Sequence, residues 1–144
     1  MVMATLAEHP PRTILLVEDE PPVRRLIKRI LSTERAKILT AGSGAQALQM
    51  AVRTAVDLVI LDVRLPDMSG TEVLRRLRDL DANVAVIMVT GYGSADTVRA
   101  AMELGAFDYL TKPFSNEEMG RVVREALASR RVGPIRGAVS FTYE

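Results

Sequence analysis

A doubly wound α/β fold is expected for this chain on three grounds. Five short aliphatic runs alternate with five stretches of helical spacing, the connections between them are short, and 144 residues suit one domain. Short links of this kind leave neighbouring strands parallel with right-handed crossovers, so helices cover both faces of an open sheet.

Local pattern justifies each element in turn. Strands are expected at residues 14–17, 38–41, 58–61, 84–89 and 107–110, and the uninterrupted apolar runs read as strands buried on both faces. The first helix opens at Pro21-Pro22, where a missing amide costs little, and carries Val23, Leu26, Ile27, Ile30 and Leu31 on one stripe. The second has Ala45, Leu48, Val52 and Ala55 at helical spacing. Ser69 and Glu72 have capping-box spacing ahead of the third, whose face is Val73, Leu74 and Leu77. Val98, Ala101 and Met102 mark the fourth. Ser115 and Glu118 repeat the capping spacing before the last, which presents Met119, Val122, Val123, Ala126 and Leu127. Beyond about Arg131 the pattern fails at Gly133-Pro134. The chain is therefore expected to divide into a flexible segment at 1–11, a folded domain at 12–131 and a tail or linker at 132–144, ending in Phe141-Thr-Tyr-Glu144.

Composition excludes several chemistries. The 48% hydrophobic and 26% charged residues are those of a soluble globular protein. Absence of cysteine removes disulfides, thiolate zinc sites and a cysteine nucleophile, and suits a reducing compartment. The lone His9 lies among prolines, which leaves no basis for a histidine metal site or a Ser-His-Asp triad. Nineteen basic against 18 acidic residues give a net charge of +1, too little to attract nucleic acid or anionic lipid globally. Arg24, Arg25, Lys28 and Arg29 on the first helix have no interleaved aromatics and read as a solvated face. No apolar run approaches the ~18 residues of a membrane span, and the start lacks the basic region of a signal peptide, so a cytoplasmic location is expected.

The chemistry gathers after the strands. In an open parallel sheet ligands bind at the carboxyl ends of the strands. There stand Glu18-Asp19-Glu20 after the first, Asp62 after the third, Thr90-Gly91 after the fourth and Thr111-Lys112-Pro113 after the fifth. Grouped carboxylates repel one another unless a cation neutralises them, and hard oxygen donors select Mg²⁺, or Mn²⁺, over zinc and copper. A phosphoryl group can approach such a site once the metal and Lys112 offset its charge and Thr90 donates a hydrogen bond, with Asp62 placed as the nucleophile. Taken singly, each residue has an ordinary explanation: an acidic helix start, a turn aspartate before Pro66, a strand-end hydroxyl, a loop lysine. Four strand ends carrying the right types together outweigh those readings.

Over residues 12–131 the chain resembles a receiver domain of bacterial two-component response regulators. The resemblance rests on Ile14-Leu-Leu-Val-Glu-Asp-Glu-Pro21, Leu61-Asp-Val-Arg-Leu-Pro-Asp-Met-Ser-Gly70, Val89-Thr-Gly91 and Tyr109-Leu-Thr-Lys-Pro-Phe114. It implies a flavodoxin-like five-stranded parallel sheet in order 2-1-3-4-5, and a switch in which Asp62 takes a phosphoryl group from the phosphohistidine of a sensor histidine kinase or phosphotransfer protein. It further implies that Asp19 and Asp62 ligate Mg²⁺, with Glu18 acting through water and the carbonyl of Arg64 completing the set. Lys112 would pair with the phosphate, the Lys112-Pro113 bond would be cis, Thr90 would move toward the phosphoryl group, and Tyr109 would turn inward behind it. The fourth helix, fifth strand and fifth helix would face an output domain, a downstream protein or a second copy of the chain, and the first helix would border the kinase. The stretch 91–118 particularly resembles receivers that head enhancer-binding transcription activators.

Glu18 stands where the family more often has aspartate. Arg64 and Tyr92 occupy positions that in this family influence attack of water on the acyl phosphate, and their bulk is expected to lengthen its lifetime. An aspartyl-phosphate phosphohydrolase is the alternative, but such enzymes carry a second carboxylate at the position of Arg64. A flavin or dinucleotide module would need a glycine- or hydroxyl-rich first loop, whereas Glu18-Asp19-Glu20 repels phosphate.

Overall fold

The computed structural model describes residues 11–130 except Tyr92, with Arg130 described through its backbone alone. The segment 1–10, the tail from 131 and the expectations placed on His9, Tyr92 and Phe141-Thr-Tyr-Glu144 lie outside the described residues. Strands β1 (Arg12–Val17), β2 (Ala36–Ala41), β3 (Leu58–Asp62), β4 (Ala85–Thr90) and β5 (Asp108–Thr111) alternate with helices α1 (Pro21–Leu31), α2 (Gly44–Arg53), α3 (Gly70–Leu80), α4 (Ala95–Glu103) and α5 (Asn116–Arg130). The strands form one parallel sheet in the order β2-β1-β3-β4-β5.

Alternation along each strand divides the core into two layers. Leu15, Val17, Val59, Leu61, Val86 and Met88 face Ala47 of α2, Val73, Leu74 and Leu77 of α3 and Ala101 of α4. Ile14, Leu16, Leu58, Ile60, Ile87 and Val89 face Ile27 and Leu31 of α1 and Met119, Val122, Val123 and Ala126 of α5. β3 and β4 are buried throughout, as central strands covered on both sides must be.

The ladders run past the apolar runs, because pairing is a property of the backbone. β1 and β2 each begin before the first aliphatic residue, at Arg12 and Ala36, while β3 takes in Asp62 and β4 takes in Thr90. Asp62 pairs with Val89 and Thr90 with Thr111, so the polar residues of interest are the last rungs of rigid strands. α2 buries only part of the expected face: Leu48 packs on the core, but Ala45 is exposed, Val52 is 68% exposed and Ala55 lies beyond the helix end, while Gly44 and Ala47 are buried and Ala51 packs beside them. Two stripes of similar spacing compete in an alanine-rich helix, and only contact with the sheet separates them. Met102 is likewise outside, 46% exposed.

Ser69 and Ser115 accept hydrogen bonds from the amides of Glu72 and Glu118, at 3.2 and 2.9 Å. The reciprocal half of the Ser69 box is missing, because the Glu72 carboxylate pairs with Arg75 and Arg76 instead. Among the described residues no helix is long and apolar enough to cross a membrane.

Candidate functional site

The carboxyl ends of β1, β3, β4 and β5 meet in an open chamber of about 300 Å³ lined by Asp19, Glu20, Asp62, Arg64, Thr90, Gly91 and Lys112. Parallel pairing brings these segments together: every strand points the same way, so residues distant in sequence end on one edge. Asp62 and Thr90, at the ends of β3 and β4, are 6% and 1% exposed. Asp19 lies on the exposed turn beyond β1, and Lys112 enters from β5 with its amide donating to the Thr90 carbonyl at 2.8 Å. The bond between Lys112 and Pro113 is cis, as the resemblance implied.

Glu18, Asp19 and Asp62 each offer a carboxylate oxygen within 4.8 Å of the others. Lys112 Nζ donates to Asp62 Oδ2 at 3.0 Å and to Glu18 Oε1 at 3.2 Å, with Glu20 Oε1 at 3.9 Å. The other oxygen of Asp62 accepts from the Arg64 amide at 3.0 Å. Burial opposes the charge on Lys112, but its hydrogen bond to Asp62 and the charges of Asp62 and Glu18 prevail and raise its pKa above the usual lysine range. An all-oxygen donor set around one open chamber fits a hard divalent ion such as Mg²⁺.

Glu18 is sealed beneath this surface, only 1% exposed. Its amide donates to the Ala41 carbonyl, its Oε2 accepts from the Glu20 amide at 3.2 Å, and Arg24 Nη1 donates to its carbonyl at 2.8 Å. Burial first, and then the charge of Asp62, push its pKa up to about 7 against the opposing pull of the Glu20 amide and Lys112. The folded protein therefore holds a proton on Glu18 through a pH window, 4.5 to about 7, in which the unfolded chain has already lost it. Stability from this residue is full below that window and falls as pH rises through it. In chelator, urea midpoints are expected to fall as pH rises from about 5 to about 8. Glu18→Gln should remove most of that slope.

Tyr109 is half-buried on β5, and its hydroxyl, with no hydrogen-bond partner among the described residues, occupies the side of Gly93 where a Cβ would lie 3.1 Å from it. Its pKa is raised by that burial. Pro113 lines a separate apolar cleft with Val23, Leu26 and Phe114, beside Lys112. The structure thus brings together Glu18, Asp19, Asp62, Arg64, Thr90 and Lys112, and leaves Tyr109 and Pro113 adjoining them.

The sequence placed Glu20 only in an acidic run and read Arg24 as part of a solvated helix face, whereas Arg24 reaches the Glu18 carbonyl, and it assigned Gly70 no role. Gly70 ended a motif, but its reason is tertiary: a Cβ there would lie 2.3 Å from the Asp62 carbonyl oxygen and 2.8 Å from Val63 Cα.

Comparison with known proteins bears on this geometry. A family model described as the response regulator receiver domain matches residues 14–124. Sporulation initiation phosphotransferase F of Bacillus subtilis is 36% identical over 114 residues, which cover 79% of this chain and 92% of that protein. Phosphate regulon transcriptional regulatory protein PhoB of Pseudomonas aeruginosa is 40% identical over 125 residues, 85% of this chain, and the chain spans only 54% of its length. Among solved structures, a CheY-like response regulator receiver domain protein from Methanospirillum hungatei superposes with a TM-score of 0.81 at 29% identity, covering 84% of this chain and 97% of that one.

Proposed function

Because the chain belongs to the response regulator receiver domain family, a family of phosphorylation-dependent signalling switches, we propose that Asp62 is its phosphoacceptor and that Asp19, Asp62 and the carbonyl of Arg64 hold Mg²⁺, with Glu18 reaching it through water. The observation that carries this reading is the Asp62 carboxylate at the rigid end of β3, 3.0 Å from Lys112 and grouped with two further acids.

An Asp62 oxygen attacks the phosphorus of a phosphohistidine. The P–O bond of an acyl phosphate forms as the P–N bond breaks, and the imidazole leaves. Magnesium, when bound, neutralises charge on the transferring phosphoryl oxygens. Lys112 exchanges its bond to Asp62 for one to a phosphoryl oxygen, and Thr90 donates a hydrogen bond to another. Movement of Thr90 frees space behind it for Tyr109, whose hydroxyl has no hydrogen-bond partner among the described residues to hold it in place. That shift alters α4, β5 and α5, the surface proposed for an output domain, a downstream protein or a phosphorylation-dependent second copy. The domain is a regulatory acceptor rather than a turnover enzyme, occupies residues 12–131 and works in the cytoplasm.

The test is labelling. With Mg²⁺ and a small phosphodonor such as acetyl phosphate, about one alkali-labile phosphate per chain should appear on Asp62. Sustained release of product from a phosphomonoester would overturn the reading in favour of a hydrolase.

For the kinase, α1 offers exposed Arg25 and Lys28, and its Val23 and Leu26 line an apolar cleft with Pro113 and Phe114. Exposed basic groups on a helix that also borders an apolar cleft suit an acidic helical partner. The double reversal Arg25→Glu and Lys28→Glu is expected to slow transfer from the cognate kinase about tenfold or more, while leaving acetyl phosphate labelling unchanged. Equal slowing of both would count against docking at α1.

A further inference from the structure

The loop that leaves Asp62 and enters α3 is closed upon itself. Arg64 and Ser69 form a β-bridge, and the Gly70 amide donates to the Val63 carbonyl at 2.6 Å. A second set of contacts bolts this loop to a different element. Asp67 Oδ1 accepts from the Gly44 amide at 2.8 Å, and its Oδ2 accepts from the Ala45 amide at 2.9 Å.

Those are the first two amides of α2, which otherwise lack an intrahelical acceptor. Their neighbours are satisfied locally: the Gln46 amide donates to Ser43 Oγ at 3.1 Å and the Gly42 amide to Gln46 Oε1 at 2.8 Å. One carboxylate, more than twenty residues away in sequence, therefore spans the two amides left over. The positive end of the helix dipole favours a carboxylate there, and these bonds, Ala45 first and then Gly44, hold the Asp67 pKa below the usual range. Beside the clamp, Met68 seats on Gly44 so closely that a Cβ at position 44 would lie 2.5 Å from Met68 Cγ.

We propose that Asp67 is a positioning residue for metal binding and phosphoryl transfer: by clamping its loop to the start of α2 it holds the Arg64 carbonyl at the chamber and, through the Arg64 amide, fixes the Asp62 carboxylate. The inference rests on the assignment of Asp62 and Arg64 made above. Asp67 itself lies outside the chamber lining. A residue that orients a metal ligand from outside in this way commonly contributes ten- to a hundredfold in affinity.

The experiment measures Mg²⁺ affinity by calorimetry and amide hydrogen exchange in the metal-free protein. Asp67→Ala should weaken Mg²⁺ about tenfold and speed exchange at Gly44 and Ala45, while Asp67→Asn, which keeps one acceptor oxygen, should recover part of the affinity. Ala45→Pro deletes one donor without touching Asp67, at a helix position where α1 already carries proline. If both act through one clamp, the double variant should be less impaired than the sum of the two. Mg²⁺ affinity within about twofold of the parent in both single variants, even with a lowered urea midpoint, would reduce Asp67 to a helix cap and overturn the proposal. Failure of the parent to bind Mg²⁺ or to be labelled at Asp62 would instead remove the site assignment, and the clamp's role with it.

Discussion

Replacing Asp62 with asparagine is expected to reduce labelling from about one phosphate per chain to background, with kinase and with acetyl phosphate alike. The carboxamide is nearly the same size and can still accept the Arg64 amide, so the end of β3 should keep its shape. It lacks the anionic oxygen that must bond to phosphorus, and no neighbouring acid can substitute: Glu18 is buried under Lys112, and Asp19 lies on an exposed turn rather than at a strand end. Loss of one charge from three crowded carboxylates should also leave metal-free stability unchanged or higher. The decisive comparison is phosphate stoichiometry against urea midpoint on the same preparations. An asparagine variant labelled at the parent's rate would place the acceptor elsewhere.

The second large effect is structural. Gly70→Ala is expected to lower stability by about 3 kcal/mol or more, roughly 10 °C in melting temperature, and to weaken Mg²⁺ binding at the same time. Gly70 does not adopt a left-handed conformation; the constraint is space. The methyl group would meet the Asp62 carbonyl oxygen and Val63 Cα, both backbone atoms that no rotamer change can move. Relief requires displacing either the end of β3 or the first turn of α3, and the first of these carries the acceptor. Calorimetric melting with and without Mg²⁺ separates the two consequences. A melting temperature within a few degrees of the parent would show that the loop yields cheaply.

Much of this molecule was legible before folding. Uninterrupted aliphatic runs at 58–61 and 84–89 read as strands buried on both faces, and with short links to helices they fit a parallel sheet whose following polar residues share an edge. Glu18, Asp19, Asp62, Thr90 and Lys112 were readable for that reason: each is local to a strand end, and the topology does the gathering. Capping at Ser69 and Ser115 was readable because the bond spans a single helical turn. The face of α2 was not, since Ala45 and Val52 repeat with the same period as Ala47 and Ala51 and differ only in what lies opposite. Nor did Asp67 stand out, because its two donors sit on another element and an aspartate beside a proline has an ordinary turn reading.

The order of hydrophobic and polar residues by itself determined the class of fold, the sheet edge where the chemistry gathers and the types of side chain available there. Tertiary structure alone decided that Glu18 lies buried on Lys112, that Gly70 must lack a side chain and that Asp67 ties the acceptor loop to α2. The physical reason is range. Periodicity and capping act within a turn or a strand, whereas burial, close backbone approach and hydrogen bonds between separate elements exist only once the sheet has brought distant segments together.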